Sequence, residues 1–249
     1  MRNSSVDGGV PSWLHRVANR TLANPRRFNS IINRRAPQGA ITREAAVLIL
    51  FGGPFESDPL MAGGLPASAD VLLTQRASTM RQHGGQVAFP GGASDPGDEG
   101  PIATALREAQ EETGLDPSGV RPVAVLDEIF IPPSGFDVTP VIAYWEKPSA
   151  VGVVDPAEAE RVARVPMHML VDPRNRFQVR HPAGFQGPAF VVDGMLVWGF
   201  TAGVLAALIA ISGWEQDWDS HDIRDFDTVV AELDADRLIR GDADWASER

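Results

Sequence analysis

The hydrophobic pattern of this chain switches between two periods. Residues 44–51 (Glu-Ala-Ala-Val-Leu-Ile-Leu-Phe), 70–76, 86–90, 120–130 and 136–145 are apolar runs of strand length. The first has no polar alternation, which predicts a strand buried on both faces. Residues 52–69 and 146–157, rich in Gly, Pro and Ser, read as loops. Pro140 inside the fifth run predicts an edge strand or a bulge, because proline cannot donate to a ladder. Between the third and fourth runs the period becomes helical. Ile102, Ala105, Leu106, Ala109 and Thr113 gather on one side of a wheel turning about 100° per residue. Gly100 and Pro101 suit the Ncap and N1 positions, and Gly114 suits a left-handed stop.

The ends of the chain are patterned differently. Residues 1–12 are polar and glycine-containing and are expected to be disordered. Trp13, Leu14, Val17, Thr21 and Leu22 are spaced for a short helix. The stretch 13–43 carries Arg16, Arg20, Arg26, Arg27, Arg34, Arg35 and Arg43 with no acid among them. Further on, 158–164 reads as a helical turn, and 177–181 and 190–198 read as late strands. Residues 198–212 read as a helix that is apolar nearly all round, buried in the core or at a subunit contact. An amphipathic acidic helix is expected over 222–239, with a fraying tail after 241. The organisation expected is a basic, partly helical arm at 1–43, a main domain at 44–215 and an acidic helical extension at 216–249.

Composition narrows the class. The 249 residues, 43% hydrophobic and 22% charged, suffice for a sizeable core. The net charge of −11 argues against a general nucleic-acid binder. With no cysteine, disulfides, thiolate catalysis and the usual structural zinc sites are excluded. No run of about 18 apolar residues predicts a membrane span, and the N-terminus lacks a signal-peptide core. A cytoplasmic protein is the default expectation.

The chemistry concentrates on the helix at 101–113. Glu108, Glu111 and Glu112 share its polar side at i, i+3 and i+4, with Arg107 at the border. Like charges at that spacing cost roughly 0.2–0.5 kcal/mol per pair. A solvated acidic face is one reading. The other is a hard divalent cation held through oxygen, with Arg107 orienting a carboxylate.

Arg107-Glu108-Ala109-Gln110-Glu111-Glu112-Thr113-Gly114-Leu115 resembles the second half of a Nudix box, with every fixed residue of that half present. The first half departs from the common pattern. Counting back from Arg107, Glu99 takes the acidic position, but Ala93 stands where glycine is usual. Counting forward from Gly92, Asp98 takes it with one extra residue, and this alignment is preferred. Upstream, residues 72–92 resemble the signature of the coenzyme A pyrophosphatase branch of the Nudix hydrolases. That segment reads Leu-Leu-Thr-Gln-Arg-Ala-Ser-Thr-Met-Arg-Gln-His-Gly-Gly-Gln-Val-Ala-Phe-Pro-Gly-Gly. Ala77 stands where Ser is usual and Met80 where Leu is usual. Val165-Pro166, Asp137-Val138-Thr139-Pro140-Val141 and Trp198-Gly199-Phe200-Thr201-Ala202 are similar to further family segments, so the resemblance spans at least 44–205.

The resemblance implies an α/β fold, a Nudix-like α/β/α sandwich with a mixed sheet, here with N- and C-terminal helical extensions. It also implies metal-dependent hydrolysis of coenzyme A or its derivatives to 3′,5′-adenosine bisphosphate and 4′-phosphopantetheine. Mg²⁺ or Mn²⁺ would be held by Glu108 and Glu112 with help from Glu111, and Arg107 would orient the helix carboxylates. Glu111 and Glu158 are both candidates for the general base. Arg76, Arg81, His83, Gln86, Gly91 and Gly92 are the expected substrate-binding residues, since arginine forks match phosphate. Other diphosphates (ADP-ribose, a dinucleotide, a nucleoside triphosphate) or a non-catalytic nucleotide-binding role are the alternatives. The partner expected is a small nucleotide, with neither nucleic acid nor membrane, and a homodimer is possible through the basic arm or the apolar helix. For the arm, docking on the acidic body or a second subunit is preferred to contact with nucleotide phosphates.

Overall fold

The structure, a computed structural model, describes residues 9–25, 28, 36–37, 39–80, 84–132 and 134–240, with the side chains of 238–240 left aside. The expected disorder at 1–8, the tail after 241 and Arg26, Arg27, Arg34 and Arg35 lie outside the described residues. A mixed sheet holds β1 (Arg43–Gly52), β2 (Asp70–Arg76), β3 (Val87–Ala88), β4 (Gly91–Ala93), β5 (Val120–Val125), β6 (Ile129–Ile131), β7 (Phe136–Trp145) and β8 (Ala159–Pro166). A smaller sheet holds β9 (Arg176–Arg180), β10 (Gln186–Val192), β11 (Met195–Val197) and β12 (Ile223–Asp225). The helices are α1 (Ser12–Ala23), α2 (Pro101–Thr113), α3 (Met167–Val171), α4 (Gly199–Ser212) and α5 (Phe226–Arg240).

β1 is the spine. It runs parallel to β7 from Arg43 opposite Phe136 to Phe51 opposite Tyr144. Its other edge is shared by β4, with Ala46 opposite Gly92, and by β2, with Phe51 opposite Val71. Side chains alternate across this sheet. Leu48, Leu50, Leu72, Val141, Ala143 and Trp145 face the side that packs Ala105, Ala109 and Leu115. Ile49, Phe51, Val71, Leu73, Ile142 and Tyr144 face α1 and α4. Helices therefore cover both faces, which is why the 44–51 run reads as continuously apolar.

The basic helix is docked. Trp13 stands edge-on to Phe51 at 6.3 Å and 6.1 Å from Trp214, and its indole N–H donates to the Pro54 carbonyl at 3.0 Å. Arg20 donates to the Ser212 carbonyl at 3.0 Å, at the C-terminus of α4, where a cation is favoured. Among the described residues, no helix is long and apolar enough to cross a membrane.

Several local expectations are corrected. Residues 158–164 are not a helical turn: β8 pairs antiparallel with β2 along most of its length, and that ladder overrides the helix propensity of Glu-Ala-Glu-Arg. β7 is central, not an edge strand. Pro140 is accommodated because the chain leaves the ladder between β5 and β6, and there its carbonyl accepts the Leu126 N–H at 2.9 Å. That same departure divides the 120–130 run into two strands. Asp193 and Gly194, at φ 51° and 69°, form a tight hairpin turn that splits 190–198 into β10 and β11. The final helix begins at Phe226, because 223–225 pair with β9 instead.

Candidate active site

The site is built where α2 lies against β4. Residues 91–93 form a short strand on β1 that brings two glycines under the acidic side of the helix. A Cβ on Gly91 would fall on the Ala46 carbonyl and the Val47 backbone, and one on Gly92 would fall on the Glu108 carboxylate. Glycine at both positions is a matter of close approach. α2 starts at Pro101 after Gly100 and ends at Gly114 in the left-handed region, as its signals predict.

Arg107 organises the acids. Its Nε and Nη2 donate to the two oxygens of Asp98 at 3.1 and 2.9 Å. Nη1 donates to Glu108 at 2.9 Å and to Glu111 at 3.1 Å, and Nη2 also reaches the Ala93 carbonyl at 2.9 Å. The fork on Asp98, with the Asp95 N–H beside it, holds that carboxyl well below the usual range, and Asp98 in turn raises Arg107. Glu99, the other candidate for the first acidic position, is exposed. Its neighbour Asp98 has the arginine.

Glu108 and Glu112 lie one turn apart on the inner edge of the helix, and burial raises both. Glu112 is pushed up to about 7. The Gly91 N–H, 3.3 Å away, and the charge of Arg76 pull it back down, while Glu108 and Glu158 push it further up. It is a carboxylate short of counter-charge.

A small cleft brings together Thr74, Arg76, Glu111, Glu112, Asp155 and Glu158. Arg76 ends β2, and its buried Nε has no hydrogen-bond partner among the described residues. Glu111 and Glu158 are exposed. Gln86 is not among the cleft residues; its main-chain carbonyl instead accepts the Arg76 N–H at 2.9 Å, which fixes the strand end. Arg81 and His83 lie outside the described residues. Sequence reasoning missed Asp155. Its side chain accepts the Ala157 N–H at 2.8 Å in a turn that delivers Glu158, and the Asp155-Pro156 pair is the signal that marks such a turn. A separate, larger cavity of about 770 Å³ is lined by Glu44, Asp95, Asp98, Asp127, Glu128 and Asp137 among others. The smaller cleft also gathers four carboxylates, but it holds Arg76, whereas no cationic side chain lines the larger cavity among the described residues, so the smaller cleft is the better candidate.

Among the described residues, no three acidic or histidine side chains are gathered tightly enough to hold a metal ion as they stand. The donor set nonetheless suits a hard cation: all of its side-chain donors are carboxylate oxygens, and Glu112 lacks a full counter-charge.

A mixed sheet between helices, with one helix presenting Arg107, Glu108, Glu111 and Glu112 against a glycine strand, defines an α/β/α protein with a carboxylate-bearing helix at its candidate site. The NUDIX domain family matches residues 61–183. The protein "Uncharacterized Nudix hydrolase NudL" of Enterobacter sp. (strain 638) is 37% identical over 199 residues, covering 75% of this chain and 88% of that one. "Nudix hydrolase 22, chloroplastic" of Arabidopsis thaliana is 34% identical over 178 residues, 68% of this chain and 55% of that one. Among solved structures, the NUDIX hydrolase from Alicyclobacillus acidocaldarius is similar at a TM-score of 0.44 and 20% identity, over 70% of this chain and 94% of that one. The chain belongs to the Nudix hydrolases, enzymes that cleave pyrophosphate bonds.

Proposed function

We propose that this Nudix hydrolase is a Mg²⁺- or Mn²⁺-dependent pyrophosphatase that acts in the cytoplasm on coenzyme A or a close derivative. Water adds across the diphosphate, giving 3′,5′-adenosine bisphosphate and 4′-phosphopantetheine. The observation that carries this reading is the position of Arg76. It belongs to the coenzyme A-like segment 72–92, and it faces the same cleft as Glu111, Glu112 and Glu158.

Glu108 and Glu112, with Glu111, are the residues assigned to hold the cation, which would supply charge neutralisation at the diphosphate and an activated water. The chain's own groups do the rest. Arg107 fixes Glu108 and Glu111 relative to the loop before α2. Arg76 offers its guanidinium to phosphate oxygens, the geometry for which arginine is suited. Of the two candidate bases, Glu158 is preferred. One oxygen of Glu111 is already engaged by the Arg107 guanidinium, whereas Glu158 enters the cleft from the turn before β8.

Mass-spectrometric identification of the products formed from coenzyme A, with each metal in turn, tests the proposal. Equal amounts of the two named products are expected. A clear preference for ADP-ribose, a dinucleotide or a nucleoside triphosphate in the same panel would replace the substrate, and binding without turnover at any metal concentration would replace the activity.

A further inference from the structure

The ladder between β2 and β8 is regular until its last step. Gln75 lies opposite Arg161 and Arg76 opposite Ala159, so Glu160 has no partner and forms a bulge. Bulges of this kind re-aim side chains and end a pairing beside a site. Here the bulged residue turns to the next segment: the Glu160 carboxylate accepts the Ser78 N–H at 3.0 Å. Two residues before Glu160, the Glu158 carbonyl accepts the Ala77 N–H at 2.9 Å. The beginning of β8 therefore grips the root of the turn that follows Arg76.

That root is closed from its other side as well. Met80 N–H donates to the Ala77 carbonyl, Gly85 N–H to Arg76, and Arg76 N–H to Gln86. Gly84 lies so near the carbonyls of Ser78 and Met80 that a Cβ there would collide with them. These contacts are main-chain throughout, except one. Glu160 is the only side chain of β8 that holds the turn among the described residues, and it is two positions from Glu158.

We infer that Glu160 is a positioning residue for coenzyme A-type substrates. Through the Ser78 N–H it pins the 77–80 turn to the start of β8, and so sets the site that receives the part of the substrate beyond the diphosphate. The inference rests on the coenzyme A reading for its substrate class, and on the bulge for its mechanism. A carboxylate acting this way contributes to binding rather than to the chemical step, and an amide oxygen at the same place can do the same work.

Steady-state kinetics and amide hydrogen exchange on the full chain test it, with wild type, Glu160→Gln and Glu160→Ala. Losing the one hydrogen bond should raise KM for coenzyme A roughly fivefold in Glu160→Ala, with kcat nearly unchanged. KM for ADP-ribose should stay where it is, and Glu160→Gln should behave as wild type. Exchange of the 77–80 amides should speed up about fivefold in Glu160→Ala and not in Glu160→Gln. An equal fall in kcat for both substrates, a Glu160→Gln variant no better than Glu160→Ala, or unaltered 77–80 exchange would each overturn the inference. A wild-type enzyme that ignores coenzyme A would overturn both the proposed function and the substrate class inferred here, while the exchange measurement separately decides whether Glu160 holds the turn.

Discussion

Two helices cover opposite faces of the same sheet and are built on opposite principles. α4 (Gly-Phe-Thr-Ala-Gly-Val-Leu-Ala-Ala-Leu-Ile-Ala-Ile-Ser) has no charge and is buried over nearly its whole length. α2 buries only Thr104, Ala105, Ala109 and Thr113, and spends its other side on Arg107, Glu108, Glu111 and Glu112. The first gains stability from apolar area removed from water. The second gives some up by holding Glu108 and Glu112 where burial disfavours their charge. Stability and chemistry are thus carried by different layers, and substitutions should separate them.

The largest separation is expected at Glu112. Glutamine there keeps an acceptor for the Gly91 N–H but removes the charge proposed to hold the cation. Metal-dependent kcat/KM should fall by about 10³-fold, a loss of several kcal/mol in transition-state stabilisation, while the melting temperature stays level or rises. Turnover within tenfold of wild type would remove Glu112 from the metal assignment. The converse substitution is Leu205→Ala in α4, where the side chain is fully buried. It should cost about 2–5 kcal/mol in chemical denaturation and leave kcat per folded molecule unchanged. A matching fall in kcat would mean that the two layers are coupled.

The same contrast explains what could be read from the chain before folding it. α2 was legible because its signals are local: Gly100-Pro101 to start, Gly114 to stop, and a 3.6-residue period between. α4 and the strands β1, β2 and β7 were legible from apolar runs alone. The misses share a cause, which is that long-range pairing decides them. Residues 159–166 are a strand because β2 offers an edge, and 91–93 are a strand because β1 does. Pro140 sits in a central strand because a distant segment leaves the ladder at that point. At the site, the motif residues Arg107, Glu108, Glu111 and Glu112 were readable and Asp155 was not. Nothing in a linear pattern says which loop acid the β2–β8 pairing will bring to the cleft.

Titration offers a smaller effect that touches α2 only. Glu112 binds its proton up to about pH 7 in the folded protein and releases it near 4.5 when unfolded. Between those values the native state holds more protons than the unfolded chain, so raising pH across this window lowers stability. In metal-free protein the loss should approach, and not exceed, about 3 kcal/mol between pH 4.5 and 7. Asp98 acts in the opposite sense, since its stabilisation is lost only as pH falls below the ordinary carboxylate range, outside this window. Urea denaturation at pH 5 and pH 8 in the presence of a chelator measures the slope. Glu112→Gln should lessen it, with the remainder belonging to Glu108, which burial also raises, and Leu205→Ala should leave it intact; a slope undiminished by Glu112→Gln would assign the proton elsewhere.

The smallest effect belongs to the contact between α1 and α4. Arg20 donates to the Ser212 carbonyl at 3.0 Å and lies 3.5 Å from that of Ile211, where the helix ends with unpaired acceptors and a partial negative charge. Arg20→Ala should therefore cost about 0.3–1 kcal/mol, a drop of roughly 1–4 °C in Tm for a chain of this size. Arg20→Lys should recover part of it, as a point charge without the planar fork. Because this arginine serves the buried layer, KM and kcat for the diphosphate should not move in either variant. Should KM rise while Tm holds, the N-terminal cations would be acting on substrate phosphates rather than on the helix end, and the division between a stabilising and a chemical face would have to be redrawn.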